Sequence, residues 1–172
     1  LENNIPSKFS VYCNGEMVLG DRKFRCWNDK GHGHTSFVKA MRESCDDFFY
    51  KGSLKVGINN IHNTLDNFGI GHKTGIDLPN ESAGINPNKQ WKQTQRNLRW
   101  YVGETVVASI GQGFINVTPL QIARYTGSIA TNKLQRPHFL KDDSLIESKD
   151  TNVSKRNLRI VQKGMFAVAN RS

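Results

Sequence analysis

The chain has 172 residues, room for about one domain with one real core. Hydrophobic residues make up 37% and charged residues 23%, an ordinary globular balance, and no run approaches the ~18 apolar residues of a membrane-spanning helix. The net charge of +9 would suit nucleic acid, an anionic membrane face or an acidic polymer, but the basic residues are scattered, with no arginine-rich arm or zinc-finger spacing, so a solvated basic face is the expectation and nucleic acid is not.

No secretory signal opens the chain. Leu1 starts abruptly and Ser172 ends a helical pattern midway, so the sequence is expected to be a piece of a larger protein. Residues 1 to 34 read as loop, punctuated by Pro6, Gly15, Gly20, Gly31 and Gly33, with short extended stretches at Glu16 to Leu19 and Lys23 to Trp27. A helix begins near Thr35 or Ser36 and runs to about Tyr50, where Gly52 interrupts it. Phe37, Met41, Cys45, Phe48 and Phe49 form its apolar stripe. A second helix spans about Ile58 to Phe68, with Gly69 placed to end it.

Residues 69 to 104 show little periodicity, and Thr105 to Ile110 is an apolar run closed by Gly111-Gln112-Gly113. Thr118 and Pro119 are a strong start signal for a helix reaching about Thr131. Residues 132 to 153 read as polar connection. A last helix runs from about Ser154 toward Asn170, with Leu158, Val161, Met165 and Val168 in register.

Three features carry possible chemistry. Cys13, Cys26, His32 and Cys45 follow the pattern C-x12-C-x5-H-x12-C. Three thiolates and an imidazole complete a tetrahedral zinc shell, and a long polar loop needs something to tie it down. The alternatives are one disulfide with a spare thiol, or three buried cysteines acting as small hydrophobes; His34 could replace His32. Ser36-Phe37-Val38-Lys39 and Lys73-Thr74-Gly75 resemble serine acyl-transfer motifs, with Ser44-x-Asp46 between them. Ser36 and Ser44 fall on one predicted helix, whereas such sites draw parts from several elements, so Ser36 reads as a helix-terminal residue and Lys39 as a solvated one. Ser44, Cys45 and Asp46 are consecutive and would point about 100° apart on a helix, so two sites meet at this turn. The third feature is the basic, aromatic stretch from Lys89 to Tyr101. Its Trp91 and Trp100 are expected to pack a loop onto the body rather than stack on bases or sugars.

The ordered strings GHGH (31–34), ESCDDFFY (43–50), FGIGHKTGIDLPNE (68–81), the Trp91 and Trp100 pair, GET (103–105), SIGQGFINVTPLQIA (109–123) and GMFAVAN (164–170) resemble the transpeptidase domain of class B penicillin-binding proteins, nearest the penicillin-binding protein 2 group. The resemblance implies an α+β, penicillin-binding/β-lactamase-like transpeptidase fold, of which residues 1–172 are a partial domain and mainly the helical part beside a five-stranded sheet. It implies a serine D,D-transpeptidase that cross-links peptidoglycan stem peptides during cell elongation and is acylated by β-lactams. The alternative is a non-catalytic scaffold or sensor of the same fold.

The family's second motif falls on Ser44-Cys45-Asp46. Ser44 would relay a proton between the nucleophile's lysine and the leaving group, and Asp46 would hydrogen-bond lysine and substrate. The nucleophilic Ser-x-x-Lys and the Lys-Ser/Thr-Gly strand are expected outside this chain, which makes Ser36–Lys39 and Lys73–Gly75 decoys and the piece inactive alone. Some members hold zinc through two Asp, a His and a Cys. His32 and Cys45 match the last two, Cys26 falls on the second Asp, and Cys13 matches the first less closely. The resemblance also implies a membrane-anchored parent at the periplasmic face of the inner membrane. Its implied partners are an elongation glycosyltransferase and a periplasmic rod-shape scaffold.

Overall fold

The computed structural model describes residues 5–141, 144 and 146–170. The first four strands nest. β1 (Ser10–Cys13) pairs antiparallel with β4 (Gly33–Ser36), and between them β2 (Glu16–Leu19) and β3 (Arg22–Arg25) form a hairpin. The two extended stretches expected at Glu16 to Leu19 and Lys23 to Trp27 are β2 and β3, and among the described residues the segment read as loop also contains β1 and the start of β4. β1 alternates exposed and buried, which is a half-buried strand's signature, but four residues are too few to read it from sequence. Its register sets Cys13 opposite Gly33.

The expected continuous helix from Ser36 to Tyr50 is two helices. α1 (Phe37–Glu43) ends at Ser44, which holds a left-handed backbone at φ 53°, ψ 48°. Cys45 then caps α2 (Asp46–Val56), which runs through Gly52 and stops at Gly57. The Cys45 N–H reaches back to Ala40 O at 2.9 Å and the Ser44 N–H to Met41 O at 3.3 Å, a Schellman closure. Nothing in the local composition demands a break there. The reason is tertiary: Cys45 is fully buried with Val11, Cys13, Cys26, Ala40 and Phe48, and the ring of Phe48 packs among Phe9, Phe37 and Phe49.

α3 (Ile58–Asn67), α6 (Pro119–Thr131) and α7 (Lys155–Ala169) lie where the periodicity puts them. Thr118 caps α6 by accepting from Gln121 N, while Gln121 Oε1 accepts from Thr118 N. Two short helices were not legible in the sequence. α4 (Lys89–Arg96) starts at Asn88, whose side chain accepts from Trp91 N, and α5 (Val102–Ala108) starts with Glu104 accepting from Tyr101 N. Trp91 and Trp100 pack against Phe114, the packing role expected of them. Within the supposed polar connection, β5 (Lys133–Gln135) pairs with β6 (Ser148–Asp150).

α7 lies against α1 so closely that a Cβ on Gly164 would stand 2.4 Å from Met41 Sδ. A second apolar cluster joins the hairpin to α5 through Met17, Phe24, Tyr50 and Val106, and a third joins α6 to α7 through Phe68, Ile129 and Leu158. The α1–α2 break thus packs against Cys13 at the end of β1 and Cys26 just after β3. The overall architecture is α+β, as the sequence implied.

Candidate active-site turn and metal centre

At the break, Ser44 is exposed and Cys45 beside it is buried. The left-handed Ser44 sets the two side chains on opposite sides of the turn between α1 and α2. Left-handed backbone costs a residue with a Cβ ~1–2 kcal/mol, and such strain recurs at functional sites. Asp46 opens α2 and accepts the Trp27 N–H at Oδ2 (3.0 Å). Arg42, hydrogen-bonded to Glu43 at 2.8 Å, holds that carboxyl below its ordinary range.

On the buried side, one ligand atom each from Cys13, Cys26, His32 and Cys45 lies within 4.8 Å of the others. His32 Nδ1 faces Cys26 Sγ at 3.5 Å and Cys13 Sγ at 3.6 Å. Its Nε2 is buried with no hydrogen-bond partner among the described residues. The three cysteines are free thiols. Burial pushes the Cys45 thiol up to about 12, although the Phe48 N–H at the start of α2 pulls the other way. Three sulfurs and one imidazole nitrogen converging from separate elements are the donor set of a closed four-ligand zinc site, and a cation there would hold the thiols as thiolates. His34 is exposed, with its ring edge against Tyr12, and is not part of the cluster.

Two glycines let the loop close. Gly31 has φ +78°, and a Cβ there would lie 2.2 Å from Cys13 O. Gly15 has φ +97°, and a Cβ there would lie 2.1 Å from Asp29 O. The Gly15 carbonyl accepts from Cys26 N at 2.8 Å, so the two cysteine-bearing segments are joined through backbone.

The two decoy motifs have structural work. Ser36 caps α1, accepting from Lys39 N. Lys39 is not the solvated residue expected: its ammonium donates to His32 O at 2.6 Å and His34 O at 3.1 Å, fastening the histidine loop to α1. At Lys73–Gly75, Thr74 N, Thr74 Oγ1 and Gly75 N all donate to the Glu81 carboxylate, which makes a closed turn. Trp27 was missed as well. Besides its amide, its indole N–H donates to Glu43 O at 2.9 Å, so one residue grips both sides of Ser44-Cys45. Only its place beside Cys26 could have drawn attention to it.

Comparison with known proteins supplies the family. Residues 1–172 match the penicillin binding protein transpeptidase domain. The chain is 37% identical over 143 residues to the peptidoglycan D,D-transpeptidase MrdA of Haemophilus influenzae, covering 81% of this chain and 22% of the relative. It is 43% identical over 120 residues to that of Acinetobacter baumannii, covering 69% and 18%. The chain thus spans about a fifth of the length of these curated relatives. The penicillin-binding protein 2 in a complex with MreC from Helicobacter pylori superposes with a TM-score of 0.94 at 41% identity, over 99% of this chain and 33% of that one. With its whole length matched and its fold shared, the chain belongs to the penicillin-binding-protein transpeptidase domain family.

Proposed function

We propose that this chain is part of a penicillin-binding protein 2 that cross-links peptidoglycan stem peptides and is acylated by β-lactams. The observation that carries the reading is the exposed, left-handed Ser44 with Asp46 two residues on, a strained turn inside a family-matched domain. In this reading a nucleophilic serine elsewhere in the parent attacks the D-Ala-D-Ala carbonyl. The Ser44 hydroxyl hands a proton to the departing amine. Asp46 Oδ2 is taken by Trp27 N–H, which leaves Oδ1 to accept from the nucleophile's lysine and from the substrate.

Cys13, Cys26, His32 and Cys45 hold zinc in this proposal, supported by their convergence and by His32 Nδ1 facing the sulfurs of Cys13 and Cys26. Bound zinc supplies a closed clamp on four protein ligands. The parent is placed at the inner membrane with this domain in the periplasm, beside a glycosyltransferase and a rod-shape scaffold. The relatives' transpeptidase names and the MreC complex of the Helicobacter pylori protein support that placement.

The test uses the full-length parent and a fluorescent penicillin. Ser44→Ala is expected to slow covalent labelling by about a hundredfold while leaving the protein folded. Metal analysis should find about one zinc per chain, lost in Cys45→Ser. Labelling of Ser44→Ala at the wild-type rate sinks the assignment of the turn. A metal-free parent with a Cys–Cys disulfide sinks the zinc.

A further inference from the structure

We infer that Trp27 is a positioning residue, which breaks the α1–α2 helix at Ser44 and links that break to the cysteine cluster. The inference rests on the reading of Ser44 as catalytic. Its ground is a competition for one acceptor. In the continuous helix that the sequence pattern favours, Glu43 O would accept from Asp47 N, four residues on. In the structure the Trp27 indole N–H donates to that carbonyl instead, at 2.9 Å. The Trp27 amide then takes Asp46 Oδ2 at 3.0 Å, on the far side of the break.

Burial is not what holds the ring there, since Trp27 is 67% exposed. An exposed tryptophan with both N–H groups directed at a helix break acts through those bonds. Its ring and the His32 ring meet edge-to-face, with centroids 5.4 Å apart, and its chain neighbour Cys26 belongs to the cluster. A shift of the cluster therefore reaches Ser44 by two routes. One runs through Cys45 itself. The other runs from Cys26 and His32 through Trp27 to Glu43 and Asp46.

Trp27→Phe keeps a ring against His32 and the backbone bond to Asp46, and removes only the indole donor. In the full-length parent, three quantities are measured: zinc content, hydrogen exchange of the Ser44 and Cys45 amides, and penicillin acylation. The variant is expected to keep its zinc and its melting temperature. Those two amides, which close on Met41 O and Ala40 O, should exchange about tenfold faster, in line with one lost hydrogen bond, and acylation should slow by a similar factor. Wild-type exchange and acylation in a zinc-loaded variant overturn the inference. So does slowing that tracks zinc loss alone, because Trp27 would then serve only the ligand set. If the wild-type parent proves metal-free, the zinc reading fails separately, and exchange in Trp27→Phe still decides the role of the indole. If Ser44→Ala labels normally, the catalytic reading fails, while the exchange result again decides the strut.

Discussion

The Cys45 amide closes on the Ala40 carbonyl at 2.9 Å, and that bond forces Ser44, between them and the next helix, into left-handed backbone. Helices that end this way ordinarily give the position to glycine or asparagine. A serine kept there argues that its hydroxyl is needed. Ser44→Gly is therefore expected to stabilise the parent by about 0.5–1 kcal/mol, the relief of the Cβ clash less the greater freedom of unfolded glycine. It should also abolish most penicillin acylation. Denaturant unfolding and labelling on the same preparation read the two effects. A variant that is less stable than wild type would show that φ 53° carries no strain here.

Lys39 reads as half of a nucleophile motif and is instead a fastener of the histidine loop, through His32 O and His34 O. Partners that orient metal ligands without touching the metal typically change affinity 10–100-fold when removed. Lys39→Met, which keeps the stem and loses the donors, is expected to weaken zinc binding by about tenfold in a chelator competition. Acylation at saturating zinc should stay near wild type. An unchanged affinity would mean that Gly31 and the β1–β4 pairing suffice to hold His32.

The sequence made the fold partly legible, and its misses have physical causes. α3, α6 and α7 were read correctly because each carries three turns of apolar repeat or a strong cap, such as Thr118-Pro119. α4 and α5 were missed because each is two turns long and takes its order from capping by Asn88 and Glu104. The candidate cluster was visible as cysteine and histidine spacing, and the structure gathers those four residues. The break at Ser44 was not visible, since Phe37, Met41, Cys45 and Phe48 keep helical spacing straight through it. Local pattern favours one helix there. Long-range contacts decide for two: the burial of Cys45 in its cluster and the bonds from Trp27, nineteen residues from Asp46 in sequence.

Glu81 gives the fold an acid-sensitive joint. Desolvation raises its carboxyl, but hydrogen bonds from Thr74 Oγ1, Thr74 N and Gly75 N outweigh it, and the net shift is downward. A carboxyl lowered on folding contributes stability above its unfolded value, and that stability is lost as pH falls through the lowered folded value. Glu81→Gln is expected to cost about 1–2 kcal/mol at neutral pH, since buried Thr74 keeps weaker acceptors. The gap between wild type and variant should close as pH drops below about 4. A gap that holds constant across that range would assign the cost to shape rather than charge.

Lys92 tests whether the basic, aromatic stretch is a binding surface or a structural joint. Its side chain is only 3% exposed and pairs with Glu104, which is 25% exposed and also accepts from Tyr101 N. The ammonium sits 5.0 Å from the Tyr101 ring centroid, 5.4 Å from Phe114 and 6.0 Å from Trp100. These rings surround a side chain of the protein itself, so the stretch is internally satisfied at its centre. Removing one partner of a buried pair strands the other, at a cost of about 3 kcal/mol, whereas removing both charges costs less than the sum. Lys92→Met should destabilise the parent by about that amount, and adding Glu104→Gln should recover a part of it. Denaturant unfolding of the four proteins of this cycle measures the coupling. Strictly additive costs would show that the pair is only a contact and that the aromatic rings alone hold α4 to α5.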